Sequence, residues 1–270
     1  MVTENSNSLF VLAYACLMSN EVDDKLAATI RLFEQWQTSG LKREIPDAVT
    51  DIEVPGRPEC PVLVAPRELK RRKLSTAEGH AALIHSICHI EFNAINLALD
   101  AVYRFRDLPD DYYHDWLKVA AEEAYHFSLL RDHLRTLGYD YGDFPAHNGL
   151  WEAAVDTAHD ALVRMALVPR VLEARGLDVT PGIMAKLHSI GDNNGVTILD
   201  IIQRDEIGHV AIGSHWFAYL CDQRGLPVER TFIDLIEKYM HGGIRKPMAL
   251  DARRQAGFTE AELAYLEEAG

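Results

Sequence analysis

Two copies of one short motif, an acidic pair followed by a histidine, most constrain how this chain can fold. The first copy occupies residues 122–126 (EEAYH) and the second occupies residues 205–209 (DEIGH). Both copies lie in stretches with helical periodicity, and residues three or four apart on a helix share one face. The second acidic residue and the histidine of each copy are therefore predicted to point to one place.

A single glutamate in each of two other predicted helices completes a candidate set of metal ligands. A four-helix bundle that holds two metals uses one glutamate from each of two helices and Glu-x-x-His from each of the other two. The separation from Glu91 to Glu123 is 32 residues, and that from Glu173 to Glu206 is 33. This match indicates an internal duplication of a helical hairpin. The predicted metal ligands are Glu91, Glu123, His126, Glu173, Glu206 and His209.

The apolar surroundings of these glutamates favour a metal site. Each glutamate interrupts a stripe of apolar residues; around Glu91 the stripe includes Ile84, Ile87 and Ile95. A carboxylate buried in such a stripe is destabilising unless it is paired or bound to a metal. Two divalent cations would neutralise four carboxylates that otherwise repel one another.

The donor atoms also indicate the metal. Two histidines and four carboxylates suit iron or manganese better than calcium or a thiolate-preferring metal, so the predicted cofactor is two iron ions, or iron with manganese. Metal-bound histidines usually donate their second ring N–H to a carboxylate. Glu122 and Asp205, each four residues before a histidine, are predicted to take this orienting role, each towards the histidine of the other half.

Helical periodicity covers most of the chain, and no alternating stretch is long enough for a strand, so the predicted fold class is all-α. Thr76 is predicted to cap one long helix, and Asp110 or Asp111 another. Gly40 and Gly225 are predicted to end two other helices. Gly176 is predicted to end another, which Pro169 kinks. The predicted helices lie at 9–38, 76–105, 110–137, 151–175, 193–224, a segment ending at 241, and 260–268, with a short helix ending at 188.

The domain organisation follows from these helices. Residues 76–226 are predicted to form the four-helix bundle. Residues 1–75 are predicted as a helical extension plus a proline-rich strap (residues 41–66), and residues 227–270 as a C-terminal helical extension, all within a single structural domain. Two basic segments, residues 67–73 and 245–254, are predicted to be solvated. The alternative for the first is an anion site, and the alternatives for the second are to cap the bundle or to contact an anionic substrate.

The composition excludes several classes of protein. A net charge of −14 argues against a broad nucleic-acid-binding face. The four cysteines have neither disulfide nor metal spacing, which indicates reduced thiols in a cytoplasmic protein. The apolar run at residues 9–18 lacks a preceding basic segment and is too short to span a bilayer. It is predicted to be a core helix, and no membrane association is expected.

Six stretches of the chain carry a resemblance to a known family: 55–66 (PGRPECPVLVAP), 79–105 (GHAALIHSICHIEFNAINLALDAVYRF), 119–134 (VAAEEAYHFSLLRDHL), 141–151 (YGDFPAHNGLW), 164–181 (RMALVPRVLEARGLDVTP) and 204–213 (RDEIGHVAIG). In these stretches the chain resembles the bacterial ferritin-like proteins catalogued as domain of unknown function 455. The resemblance implies a ferritin-like four-helix bundle and places metal-ligand roles on the same six residues. A more distant likeness to ferritin-like tRNA hydroxylases does not extend to their substrate, because this acidic chain lacks their basic surface.

The predicted function is that of a non-haem di-iron oxidoreductase, of the oxygenase or hydroxylase type, in which the metal centre itself is catalytic. Its expected partners are O2, a small organic substrate and an electron donor, and a homodimer is left open. One alternative is a ferroxidase or peroxide-detoxifying protein without an organic substrate. The second alternative is a metal-free structural bundle.

Overall fold

The computed structural model describes residues 7–44, 48–240 and 245–270. These residues contain no β-strand, and their non-helical backbone pairing includes two isolated bridges, Ser8 with Lys42 and Leu63 with Ala146. The all-α prediction is thus confirmed. The helices are α1 (Leu9–Leu17), α2 (Val22–Ser39), α3 (Ala77–Arg104), α4 (Asp110–Thr136), α5 (Gly149–Asp156), α6 (Ala161–Leu167), α7 (Ala174–Ser189), α8 (Asn193–Gln223), α9 (Val228–Tyr239), α10 (Leu250–Gln255) and α11 (Glu260–Ala269).

The chain divides into two compact units, Met1–Val155 and Asp156–Gly270. In the first unit α3 packs along α4, while α1 packs on α3 and α2 on α4. The cap predicted at Thr76 is present, since its hydroxyl accepts the Gly79 N–H at 3.0 Å. Among the described helices, α3 is long and apolar enough to cross a membrane by composition, but 78 % of its most apolar window is buried inside the protein.

A loop at residues 138–149, which we call the crossing loop, is fastened to α3 by two buried histidines. His85 Nε2 accepts the Gly142 N–H at 3.0 Å, and its ring stacks on Tyr141. His89 Nε2 lies 3.1 Å from the His147 carbonyl oxygen and 3.0 Å from Asn93 Nδ2. His89 Nδ1 lies 2.9 Å from the Tyr141 hydroxyl.

In the second unit, two buried arginines hold the C-terminal helices in place. Arg253 forms a bidentate ion pair with Asp178, with N···O distances of 3.0 and 2.7 Å. Arg170 donates to Glu262 at 2.7 Å, and its guanidinium lies against the rings of Phe217, Phe232 and Phe258. The prediction of a solvated basic run at 245–254 is therefore wrong at Arg253.

Several predicted helix boundaries are wrong. Pro109 is the residue before α4, and the two aspartates after it lie in the first turn, where they favourably meet the helix dipole. The long helix predicted from residue 151 is broken before Asp160, whose side chain accepts the Leu162 N–H and starts α6. Helix α7 does not end at Gly176. It continues through Pro181 to Ser189, because buried leucines on α7 pack in the core.

Other parts of the prediction stand or lie outside the described residues. Gly40 and Gly225 have positive φ and follow the ends of α2 and α8, as predicted. The short helix α10 was not predicted. Residues 1–6 and 45–47, which include part of the strap, and residues 241–244, where a helix end was predicted, lie outside the described residues.

Two glycines on α8 provide a matched test of packing in the second unit. A Cβ at Gly213 would overlap the Pro169 ring, whereas a Cβ at Gly208 would meet no described atom within 4 Å. We expect Gly213→Ala to lower the free energy of unfolding by about 1–3 kcal/mol through overpacking. We expect Gly208→Ala to raise it by about 0.5–1 kcal/mol, because alanine favours the helix. Denaturant titration measures both free energies of unfolding. Equal changes in the two variants would contradict the close contact of Gly213 with the Pro169 ring.

The buried His85, which holds the crossing loop, is expected to make the free energy of unfolding sensitive to acid. Burial, assisted by neighbouring His89, lowers the pKa of His85 from 6.5 to about 4. The unfolded chain therefore binds this proton first, so stability is lost as the pH falls from about 6.5 towards about 4. The variant His85→Gln removes this titration, and its free energy of unfolding should fall less steeply over that range than that of the wild type. The exposed His188 provides the control, because His188→Gln should leave the slope unchanged.

Candidate metal centre

The α3–α4 hairpin brings three predicted ligands together in the interior of the first unit. Glu91, Glu123 and His126 are 3 %, 1 % and 0 % exposed. His126 Nδ1 lies 3.3 Å from Glu123 Oε2 and 3.4 Å from Glu91 Oε2. The ligand atoms of all three residues lie within 4.8 Å of one another, which is close enough for one metal ion to contact each of them.

This cluster has perturbed protonation. Burial raises the pKa of Glu91 well above its usual value, and the nearby Glu123 carboxylate raises it further. Burial opposes a charged His126, but a hydrogen bond to Glu123 and the attraction of the Glu123 and Glu91 carboxylates outweigh it and raise the pKa of His126 to about 11. The metal-free cluster therefore holds protons that a divalent cation would displace.

The donor set of these three residues fits a divalent cation. Within the described part of the chain, the buried Oε2 atom of Glu91 accepts no hydrogen bond of good geometry, although His126 lies near it. A buried carboxylate oxygen without such a bond is destabilising. Coordination would satisfy it, and oxygen and imidazole donors together suit iron or manganese.

The second unit contains the other Glu-x-x-His motif in a closely similar local arrangement. On α8, His209 Nδ1 lies 3.6 Å from Glu206 Oε1. His209 is 1 % exposed, and the Glu206 side chain is 13 % exposed. In both motifs the same ring nitrogen thus faces the glutamate three residues earlier.

Glu173 is the last residue of a π-helical segment, Val168–Glu173, between α6 and α7. Pro169 lies in this segment and has no N–H for the α-helical ladder. Its ring packs against α8 at Gly213, where a side chain would not fit. The kink predicted at Pro169 is therefore a π-helical turn. Single π-helical turns often occur at functional sites because they change the direction of a side chain.

The two predicted orienting carboxylates have contacts on their own helices. A Glu122 oxygen lies 3.5 Å from Lys118 Nζ, and Asp205 accepts the Arg204 Nε–H at 3.0 Å. Their orienting role stays a prediction, as do the six metal-ligand assignments. The supporting contact between Pro169 and Gly213 was not predicted, because nothing in the sequence links two residues so far apart.

Comparisons with known proteins place the chain in a family. The profile of the family described as "Protein of unknown function (DUF455)" matches residues 18–264. An "Uncharacterized protein" of Haemophilus influenzae (strain ATCC 51907 / DSM 11121 / KW20 / Rd) is 48 % identical over 260 residues, which cover 94 % of this chain and 88 % of that protein. No solved structure matches. The chain belongs to the DUF455 family, as its sequence motifs predicted.

Proposed function

We propose that this protein is a ferritin-like di-iron oxidoreductase that oxidises a small organic substrate with O2. The observation that carries the proposal is the buried cluster of Glu91, Glu123 and His126. Three ionisable side chains in an apolar interior are destabilising without a counter-charge, and a ligand role accounts for their position.

The second half of the proposed site comes from the duplicated motif. Glu206 and His209 repeat the local relation of Glu123 to His126, with the same ring nitrogen facing the carboxylate. Glu173 precedes Glu206 by nearly the same number of residues as Glu91 precedes Glu123. We propose that the two hairpins form a ferritin-like bundle in which these six residues hold two metal ions.

The side chains would have distinct roles at such a centre. Two bound iron ions supply the capacity to activate O2 and oxidise an organic molecule. Glu91 and Glu123 would neutralise the cations from the α3–α4 side, and His126 would bind through Nδ1 after losing its proton. Apolar residues of α3 such as Ile84 and Ile95 are buried and would help to keep water from the cluster.

Metal analysis tests the ligand set. The protein is reconstituted with ferrous ions without oxygen, desalted and analysed by mass spectrometry. We expect about two ions per wild-type chain and a loss of metal in Glu91→Gln, which keeps the side-chain shape but removes a charge. The matched control is Glu78→Gln on the same helix, where the exposed carboxylate pairs with Arg72. A wild-type protein without metal above background would contradict the proposal and favour the alternative of a metal-free structural bundle.

A double variant tests whether the two halves form one centre. If they share both metals, Glu91→Gln and Glu206→Gln should each lower the total metal content, and the double variant should lose less than the sum of the single losses. Independent, additive losses would instead indicate two separate one-metal sites.

Oxygen consumption separates the proposed oxidoreductase from the iron-handling alternative. We expect ferrous protein to consume O2 faster in the presence of an oxidisable organic substrate, and product to form in proportion. If added ferrous iron is oxidised at a rate that no organic compound changes, the protein is a ferroxidase.

A further inference from the structure

A cavity lies in the first unit, apart from the cluster of Glu91, Glu123 and His126. Its volume is about 370 Å³, within the usual range for small-molecule sites. One side is formed by the first half of α3, and the other by the crossing loop and the start of α5. The basic segment at residues 69–72 contributes its rim.

The cavity and Glu91 lie on different faces of α3. His89 and Asn93 line the cavity, and each is two residues from Glu91. Two residues correspond to about 200° around an α-helix, so these side chains point away from the Glu91 carboxylate. Asn93 donates to the His89 carbonyl oxygen at 2.9 Å, which fixes this face of the helix.

The wall opposite α3 is held on two sides. His85 and His89 bind the crossing loop from α3. On the other side, Ala146 forms two backbone hydrogen bonds with the strap. Its carbonyl accepts the Val64 N–H at 2.9 Å, and its own N–H donates to the Val62 carbonyl at 3.1 Å. A cavity with walls fixed in this way loses little conformational entropy when a ligand binds.

The lining combines an apolar body with a positive rim. Leu83, Ile90 and Leu150 give apolar surface, and the Ile90 side chain is 47 % exposed. Arg72 is held in place because it pairs with Glu78 and lies over Phe144. The exposed Lys70 forms no hydrogen bond or ion pair with the described residues, so its ammonium group can bind an anion.

We propose that this cavity binds a small organic anion: an apolar chain or ring lies between α3 and the crossing loop, and its carboxylate pairs with Lys70. Three features of the sequence then serve one site: the strap, the crossing loop and the basic segment. This site is independent of the proposed metal centre.

Octanoate is a suitable probe, with octylammonium and octanol as matched compounds of different charge. Methyl-labelled wild-type protein is titrated and followed by NMR. We expect saturable shifts of the Ala82 and Ile90 methyl signals with octanoate, weaker shifts with octanol and none with octylammonium. Equal binding of all three compounds, shifts confined to other residues, or no saturation with octanoate would overturn the proposal.

Two variants test the roles of charge and volume. Lys70→Glu should weaken octanoate binding by roughly tenfold, because it reverses a charge at the rim. The control Lys73→Glu, on the same exposed segment but outside the cavity lining, should bind as the wild type does. Ala82→Phe fills the cavity without changing a charge and should abolish binding. Equal weakening by Lys70→Glu and Lys73→Glu would contradict the assigned role of Lys70.

A third variant separates this site from the metal centre. Glu91→Gln should bind octanoate like the wild type, even if it has lost metal. Loss of octanoate binding in Glu91→Gln would overturn the independence of the two sites. Failure of the wild-type protein to bind metal, with its octanoate binding intact, would contradict the proposed function alone.

Discussion

The burial of two carboxylates beside one imidazole is the constraint on which the α3–α4 hairpin depends. Glu91, Glu123 and His126 lie in an interior that would otherwise be apolar. Without metal, protons offset part of the repulsion, as the raised pKa values of Glu91 and His126 indicate. The long apolar stripes of both helices provide the packing energy that keeps these charged groups out of water.

In the second unit the backbone before Glu173 has a different conformation from the regular α-helix that carries Glu91. The segment before Glu173 is π-helical, and Gly213 lets the Pro169 ring approach α8 closely. In the same segment, Arg170 reaches Glu262 on α11 through a buried ion pair. The C-terminal helices therefore support the turn that carries Glu173, so the extension after α8 is structurally part of this unit.

The sequence predicted features with a local physical cause and missed features that depend on tertiary contacts. The Thr76 cap, the ends at Gly40 and Gly225 and the convergence of Glu123 with His126 follow from helix geometry over a few residues. The break before Asp160 and the continuation of α7 through Pro181 do not, because packing outweighs local propensity there. The ion pair of Arg253 with Asp178 joins residues 75 positions apart, a separation beyond any periodic pattern.

Helix α3 explains how one unit can carry a cavity and a separate buried cluster of carboxylates and imidazole. Alternate residues on a helix point to nearly opposite sides, so His89 and Asn93 line an outer cavity while Glu91, between them, belongs to the interior cluster. The outer face requires histidines that fasten the crossing loop, and the inner face requires a carboxylate among apolar neighbours. Because these demands fall on different residues, a substitution that changes one face need not disturb the other. His89, Asn93 and Glu91 thus divide into two groups with separate physical roles on one helix.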